Sequence, residues 1–202
     1  MKNLLRRRYL NRFLWSIGII LLVLIAINAQ YFWAQIKYYA TPVSPASPAE
    51  AVPGPETGEP NQLNIPSLGI TAPIQYATEK TEAAYQAALI NGVVHYPETA
   101  QVGEVGNAYL FGHSSDYVWS PGHYKTVFAL LPKIQIGAEI TASNADGRVF
   151  HYRVADKSVV TPDDLSVLNQ DTGGEKILTL QTSYPVGTAL KRYIVKAVLV
   201  EE

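Results

Sequence analysis

The chain has 202 residues, enough for one modest domain with accessory segments, and its formal net charge is −1 at pH 7. It contains no cysteine, which excludes disulfides, thiolate metal sites and thiol catalysis. Residues 1–49 carry six basic residues and no acid, whereas residues 61–202 carry fourteen acidic and ten basic residues. The larger, acidic part therefore offers no basic face for nucleic acid.

An apolar segment follows a basic N-terminus. Residues 1–13 include four arginines, and residues 14–34 are almost uninterrupted apolar sequence. About 20 apolar residues span a bilayer as a helix, and the positive-inside rule keeps the basic end in the cytoplasm. We therefore predict one transmembrane signal-anchor helix over 14–34, with the rest of the chain outside the cell. A signal peptide cleaved after Ala29 and a buried core helix are the alternatives.

Residues 41–60 form a proline-rich linker. They contain six prolines and no periodic apolar pattern, so they cannot build a core. Proline-rich chain favours extended polyproline II, which predicts a semi-stiff stalk that holds the next domain above the membrane. A passive disordered spacer is the alternative.

Residues 61–202 have the pattern of an all-β domain. Short strand-forming runs alternate with Gly, Pro and Asn/Asp turns, and Asp146-Gly147 predicts a hairpin. Helices are few: Thr81–Leu89 behind a Thr cap, a short helix begun by Thr161–Asp164, and a helical turn at 127–131. The spacing favours a sandwich or a barrel. The predicted strands are 62–65, 70–74, 93–95, 107–112, 139–143, 149–160, 176–182 and 193–200.

Three polar side chains are predicted to converge at one edge of this sheet. Ser183 lies at the end of one strand, and Arg192 starts the next after a short loop. His113 ends another apolar strand, directly after Gly112. A hydroxyl beside a permanent cation and an imidazole is a plausible acyl-transfer arrangement. The alternatives are a structural hydrogen-bonding His and a solvated Arg.

The sequence TLQTS at 179–183, with Arg192 nine residues after Ser183, resembles the sortase signature of Thr-Leu-any-Thr-Cys followed by a catalytic Arg. Gly112-His113 resembles the strand-end Gly-His of that family. The resemblance covers roughly residues 63–200, and GVVHYP at 92–97 is most similar to class E sortases. It implies an eight-stranded sortase-type β-barrel with short helices, preceded here by the transmembrane helix.

The resemblance also implies an activity. Sortases are transpeptidases that act on C-terminal sorting signals of surface proteins, of the Leu-Pro-x-Thr-Gly or Leu-Ala-x-Thr-Gly kind (LPXTG or LAXTG), in cell-surface anchoring or pilus assembly. They cleave between Thr and Gly and transfer the acyl group to an amine of a cell-wall precursor or a pilin. By resemblance, residue 183 would be the nucleophile, His113 the proton carrier and Arg192 the donor to the oxyanion or the substrate backbone.

Substrate-binding residues follow from the same resemblance. Thr182 would line the groove, and Tyr96 is a candidate for its wall. The segment Asp164–Glu175 lies where the family usually sets peptide specificity. No cofactor and no metal is expected.

Ser183 departs from the family pattern, whose nucleophile is Cys. A thiol with a pKa of about 8.5 ionises beside a cation, whereas a hydroxyl needs a base, a role that His113 fills only when neutral and within reach. Three interpretations stay open: an inactive Cys→Ser sortase, natural or engineered; a slow Ser-dependent hydrolase or transpeptidase; and a non-catalytic peptide-binding module at the cell surface. A purely structural domain and a Ser–Lys dyad with Lys191 are weaker alternatives.

Overall fold

The structure is a computed structural model that describes residues 2–27, 29–40, 56–117 and 119–200. The predicted linker at 41–60 therefore lies outside the described residues except for its last five positions. The predicted cytoplasmic segment 1–13 is helical from Lys2 onward.

The N-terminal region contains two helices, whereas one helix over 14–34 was predicted. These are α1, Lys2–Ile27, and α2, Ala29–Ala40. Among the described residues, no single helix is both long and apolar enough to cross a membrane, but Asn11–Ala26 and Tyr31–Ala40, bent by 72° to each other, together meet that requirement by length and composition. The structure thus describes two helical segments over the range in which one continuous helix was predicted. Membrane crossing itself stays a prediction.

Eight strands form the body of the protein. In chain order they are β1 Gln62–Ile65, β2 Ile70–Tyr76, β3 Val93–His95, β4 Gly106–Phe111, β5 Glu139–Ser143, β6 Val149–Val160, β7 Lys176–Tyr184 and β8 Lys191–Leu199. They close into a barrel in the order β1-β2-β3-β4-β7-β8-β6-β5. All neighbours are antiparallel except β2–β3 and β4–β7, which run parallel. This confirms the predicted eight-stranded barrel.

The shared end of β7 and β8 is longer than predicted. We expected β7 to end at Thr182 and β8 to begin at Tyr193. Instead, the pairs Ser183–Arg192 and Tyr184–Lys191 continue the antiparallel ladder. Cross-strand pairing holds these residues extended, although their own sequence favours a loop. Both candidate site residues on this hairpin therefore lie within regular strands.

The helical connections are short. Helix α3, Glu82–Leu89, begins as predicted behind Thr81, whose hydroxyl accepts a hydrogen bond from the Ala84 amide at 3.2 Å. It leads from β2 to the parallel strand β3. Three 3₁₀ helices complete the helical structure of the described barrel, and they are Pro66–Leu68, Leu131–Lys133 and Leu165–Leu168.

The cap of the last 3₁₀ helix differs from the prediction. Thr161 was expected to start the helix, but the chain first makes a turn in which the Asp164 amide donates to the Thr161 carbonyl at 3.2 Å. Asp164 is the true cap, because its carboxylate accepts hydrogen bonds from the Ser166 amide at 3.0 Å and hydroxyl at 2.6 Å.

The apolar core fills the inside of the barrel. On β7, Leu178 and Leu180 are fully buried in the main core cluster. Because side chains alternate along a strand, Gln181 and Ser183 are not on this inner face. They lie on the same outer face of the barrel wall, where side chains need not serve the core.

A charged contact fastens the end of the linker to the barrel. Nε2 of His151 on β6 lies 2.9 Å from a carboxylate oxygen of Glu56, and Nδ1 lies 2.9 Å from one of Glu139 on β5. The Val149 amide also donates to the Glu56 carbonyl at 2.9 Å. Ionised carboxylates only accept hydrogen bonds, so both ring nitrogens must carry protons. The contact therefore requires the imidazolium form of His151.

This contact predicts a pH-dependent stability. Burial lowers the pKa of His151, but the hydrogen bonds that the ring donates to Glu139 and Glu56 outweigh this effect and raise the pKa above 6.5. The stabilisation is thus complete below about pH 6.5 and is lost as pH rises through the raised pKa. His151→Gln should lower the free energy of unfolding by about 1 kcal/mol at pH 5.5 and by much less at pH 9, as measured by urea unfolding.

The exposed His123 provides a control for this experiment. His123→Gln should leave the free energy of unfolding nearly unchanged at both pH values. An equal loss for His151→Gln at pH 5.5 and pH 9 would contradict the imidazolium contact.

Candidate active site

Ser183 and Arg192 are direct cross-strand partners. They face each other in the antiparallel ladder between β7 and β8. Directly opposed residues project from the same face of a sheet, with Cβ atoms about 4.5–5.5 Å apart. The proximity that the sequence predicted is therefore built into the register of two paired strands.

Loop carbonyls orient the Arg192 guanidinium. Nη1 donates to the carbonyl oxygens of Ala189 at 3.1 Å and Lys191 at 3.2 Å. Among the described residues nothing accepts from Nε or Nη2, so these donors are available to a ligand. Lys191 is exposed and pairs with Tyr184, so strand alternation directs it away from the face that carries Ser183. A Ser–Lys dyad therefore has no support in the geometry.

The backbone before and after His113 is fixed by its neighbours. The Gly112 amide donates to the Gln181 carbonyl at 3.1 Å, and the Thr182 hydroxyl donates to the Gly112 carbonyl at 2.9 Å. The His113 carbonyl accepts from the Phe128 amide at 2.9 Å. A Cβ on Gly112 would lie 2.8 Å from the Phe128 ring, so the close packing here requires glycine. These contacts hold His113 beside the end of β7.

The Thr182 side chain is largely turned away from the groove that it was predicted to line. Its side chain was expected to line a substrate groove, and the residue does border the cavity described below. Its side chain, however, is only 1 % exposed, and its hydroxyl is used in the bond to Gly112. Strand alternation turns it inward, so Thr182 positions the His113 backbone.

Thr182→Val should therefore destabilise the protein without altering the outer face. The change keeps the shape of the side chain but leaves the buried Gly112 carbonyl without its hydroxyl partner, at a cost of about 1–3 kcal/mol. Urea unfolding measures this loss. Thr188→Val, which removes a hydroxyl from the exposed loop, is the control and should cost less. Equal losses would contradict the assigned role of Thr182.

One cavity joins the candidate residues. Its volume is about 700 Å³, within the range of ligand sites. Ser183, Arg192 and His113 all border it, as does Tyr96. The structure thus brings together all five residues that the sequence singled out, although Thr182 contributes little side-chain surface.

Aromatic side chains form one wall of the cavity. The Tyr96 ring lies 6.0 Å from that of Tyr85 and 6.3 Å from that of Phe111, and Tyr85 and Phe111 meet edge to face at 5.2 Å. Tyr85 is on α3 and Phe111 ends β4. Sequence reasoning found the elements that carry Tyr85 and Phe111 but missed their role. The single available signal was a tyrosine on an otherwise alanine-rich helix.

A model of the sortase domain matches residues 63–200. The chain belongs to the sortase family. Similar solved structures include a sortase D5 transpeptidase from Clostridium perfringens, with 29% identity over 73% of this chain and 83% of that one and a TM-score of 0.57. Another is sortase C-1 from Actinomyces oris, with 26% identity over 70% and 73% of the chains and a TM-score of 0.58. No curated protein sequence matches the chain.

The electrostatics of this sortase favour a neutral His113. Burial lowers the pKa of its imidazole, and the negative charges of Asp116 and Glu82 oppose that shift only in part. Asp116 is held by the Ser120 hydroxyl at 2.9 Å and the Tyr117 amide at 2.7 Å. At neutral pH the imidazole can therefore accept a proton, which is what a hydroxyl nucleophile requires.

The segment Asp164–Glu175 packs against strands β4 and β8 next to the cavity, without bordering it. Asn107 of β4 donates from Nδ2 to the Val167 carbonyl at 2.9 Å, and Val167 packs with Tyr109 and Ile194 on the outside of the barrel. The described residues of this segment do not border the 700 Å³ cavity. In this sortase the segment buttresses the cavity wall, and its predicted role in peptide specificity stays a prediction.

Two of the other histidines, His95 and His151, make contacts that stabilise the fold. His95 is buried, and its Nε2 lies 2.8 Å from the Ala100 carbonyl and 3.2 Å from the Thr99 hydroxyl. Within residues 2–27, 29–40, 56–117 and 119–200, no group of three or more His, Asp or Glu side chains is arranged to hold a metal ion.

Proposed function

We propose that this sortase binds C-terminal sorting signals of the LPXTG or LAXTG kind and that Ser183 makes its transpeptidation slow. One observation carries the proposal: Ser183 and Arg192 face each other across two strands, at the border of the cavity that also contains His113. The family match and the aromatic wall support a peptide ligand.

The chemistry follows from these three side chains. Neutral His113 takes the proton of the Ser183 hydroxyl as its oxygen attacks the carbonyl carbon of the signal's Thr. Arg192 donates hydrogen bonds to the oxyanion that forms. When the Thr–Gly bond breaks, His113 returns the proton to the leaving amine and an acyl ester remains on Ser183. An acceptor amine then attacks the ester carbon while His113 takes a proton from its nitrogen, and His113 passes that proton to the departing Ser183 oxygen as the new amide forms.

The weak step is activation of the nucleophile. Arg192 can stabilise a thiolate next to it, but a hydroxyl is not ionised at neutral pH by one neighbouring cation. Proton transfer to His113 must therefore accompany attack. Recognition does not depend on this step, so the complete cavity supports binding even when turnover is slow.

The membrane setting and the class belong to the same proposal. The basic residues 1–13 and the apolar residues 14–34 support a single-pass anchor with the N-terminus in the cytoplasm and residues 61–202 outside the cell. Its partners would be surface proteins that carry a sorting signal and an amine that accepts the acyl group, from a cell-wall precursor or a pilin. GVVHYP at 92–97 supports class E.

Peptide titration tests the proposal. The full chain in detergent is mixed with fluorescent LPXTG and LAXTG peptides and with scrambled versions, and both anisotropy and product formation are recorded. Saturable binding of a signal peptide in preference to its scrambled version, with slow cleavage between Thr and Gly, is expected. Equal affinity for signal and scrambled peptides, or no binding at all, would overturn the proposal.

A non-catalytic peptide-binding module is the second candidate function. The observation in its favour is that residue 183 is Ser rather than Cys, although His113 and Arg192 border the same cavity. The same titration distinguishes the two, because the module binds signal peptides but gives no product even after long incubation. A purely structural domain would neither bind nor cleave.

A further inference from the structure

Gln181 lies close to Ser183 at the border of the cavity. It lies two residues before Ser183, on the same outer face of β7, and it borders the same cavity. Two residues of a strand advance about 7 Å. This equals the distance between alternate carbonyl groups of an extended peptide, which point in the same direction.

A buried tyrosine fixes the orientation of the Gln181 carboxamide. The Tyr109 hydroxyl donates to Gln181 Oε1 at 2.7 Å. Tyr109 is 2 % exposed, its ring packs with Val167 and Ile194, and burial raises the pKa of its hydroxyl, so it remains a proton donor. With Oε1 occupied, the two N–H groups of the Gln181 amide are turned away from Tyr109. No described residue accepts from them.

We propose that Gln181 is a further substrate-binding residue of this site, whose Tyr109-held carboxamide donates a hydrogen bond to the bound peptide. The acceptor is the backbone carbonyl two residues before the scissile one. This rests on the proposed function and on a peptide that runs parallel to β7, because an extended peptide in that direction with its scissile carbonyl at Ser183 places the earlier carbonyl over Gln181. Gln181 thus binds the peptide backbone, and Tyr109 positions the Gln181 carboxamide.

Peptide-binding measurements on the full chain test this inference, and the unmodified protein, which carries Ser183, is called the parent. The probe is the sorting peptide with the highest affinity for the parent, together with its analogue in which the carbonyl two residues before the scissile one is a thioamide. Gln181→Met keeps the length of the side chain but removes the donor, and it should weaken binding of the amide peptide about tenfold. Tyr109→Phe should weaken it about threefold, because the carboxamide is no longer held.

The thioamide separates a direct contact from a structural effect. Sulfur accepts hydrogen bonds poorly, so the analogue should bind the parent several-fold more weakly than the amide peptide. In Gln181→Met the two peptides should bind alike, because the contact is already absent. Gln75→Met, on β2 outside the cavity, is the matched control and should behave like the parent.

The outcomes separate this inference from the proposed function. If the parent binds the amide peptide and Gln181→Met binds it equally well, or if the thioamide costs the same in both, the inference fails and the proposed function stands. If the parent binds no sorting peptide, the proposed function fails and takes the inference with it. Thermal melting of each variant by circular dichroism confirms that the fold is retained.

Discussion

Replacing Ser183 with Cys should raise the rate of sorting-peptide cleavage by about 10²–10⁴-fold. The thiol is acidic enough to ionise beside Arg192, so nucleophilic attack no longer depends on simultaneous proton transfer to His113. The strand register that opposes residues 183 and 192 is unchanged by this substitution of sulfur for oxygen. The initial rate of product formation from LPXTG and LAXTG peptides, with a primary amine as acceptor, measures the gain.

Two variants control this experiment. Ser158→Cys introduces a thiol on β6 outside the cavity and should give no gain. Ser183→Ala should abolish the residual activity of the parent while keeping peptide affinity. A Ser183→Cys protein that still binds the peptides but cleaves no faster than the parent would show that the site lacks the machinery of an active sortase. The peptide-binding module would then be the better account.

In the Ser183→Cys background, Arg192→Lys should lower kcat on the order of 10²–10³-fold with little change in KM. Lysine keeps the charge but loses the planar fork, including the Nη1 bonds to the Ala189 and Lys191 carbonyls that orient it. A donor that acts on the oxyanion contributes only in the transition state, so its loss appears in kcat. Steady-state kinetics on the same peptides provide both constants.

Lys191→Arg is the matched control, because Lys191 is the adjacent cation but faces away from Ser183. It should change kcat less than about twofold. A rise in KM at constant kcat for Arg192→Lys would instead assign Arg192 to the peptide backbone in the ground state. Unchanged constants for Arg192→Lys would remove it from the site altogether.

Local sequence predicted the strands well but not their closure. The composition of the apolar runs predicts β4 and β7, and the Pro and Gly residues between β7 and β8 predict the loop. The pattern left a sandwich or a barrel open, because closure depends on the β1–β5 pairing, which joins Leu63 to Ala142. The eight-stranded barrel followed from the family resemblance instead.

The site was predictable where it depends on local spacing and missed where it depends on distant contacts. Ser183 and Arg192 follow from a hairpin, which local residues define. The bond from Thr182 to Gly112 spans 70 positions and exists only because β4 and β7 run parallel, so Thr182 was assigned to the groove. The Tyr109–Gln181 contact spans 72 positions and escaped prediction for the same reason.

The outward direction of the Ser183 side chain has an evolutionary consequence. Because the Ser183 side chain lies outside the apolar core, we expect its replacement by a residue of similar size to have little effect on folding. Under the proposed function, a lineage could therefore exchange one nucleophilic atom for another and later restore the first, while the surface that binds the peptide is inherited unchanged.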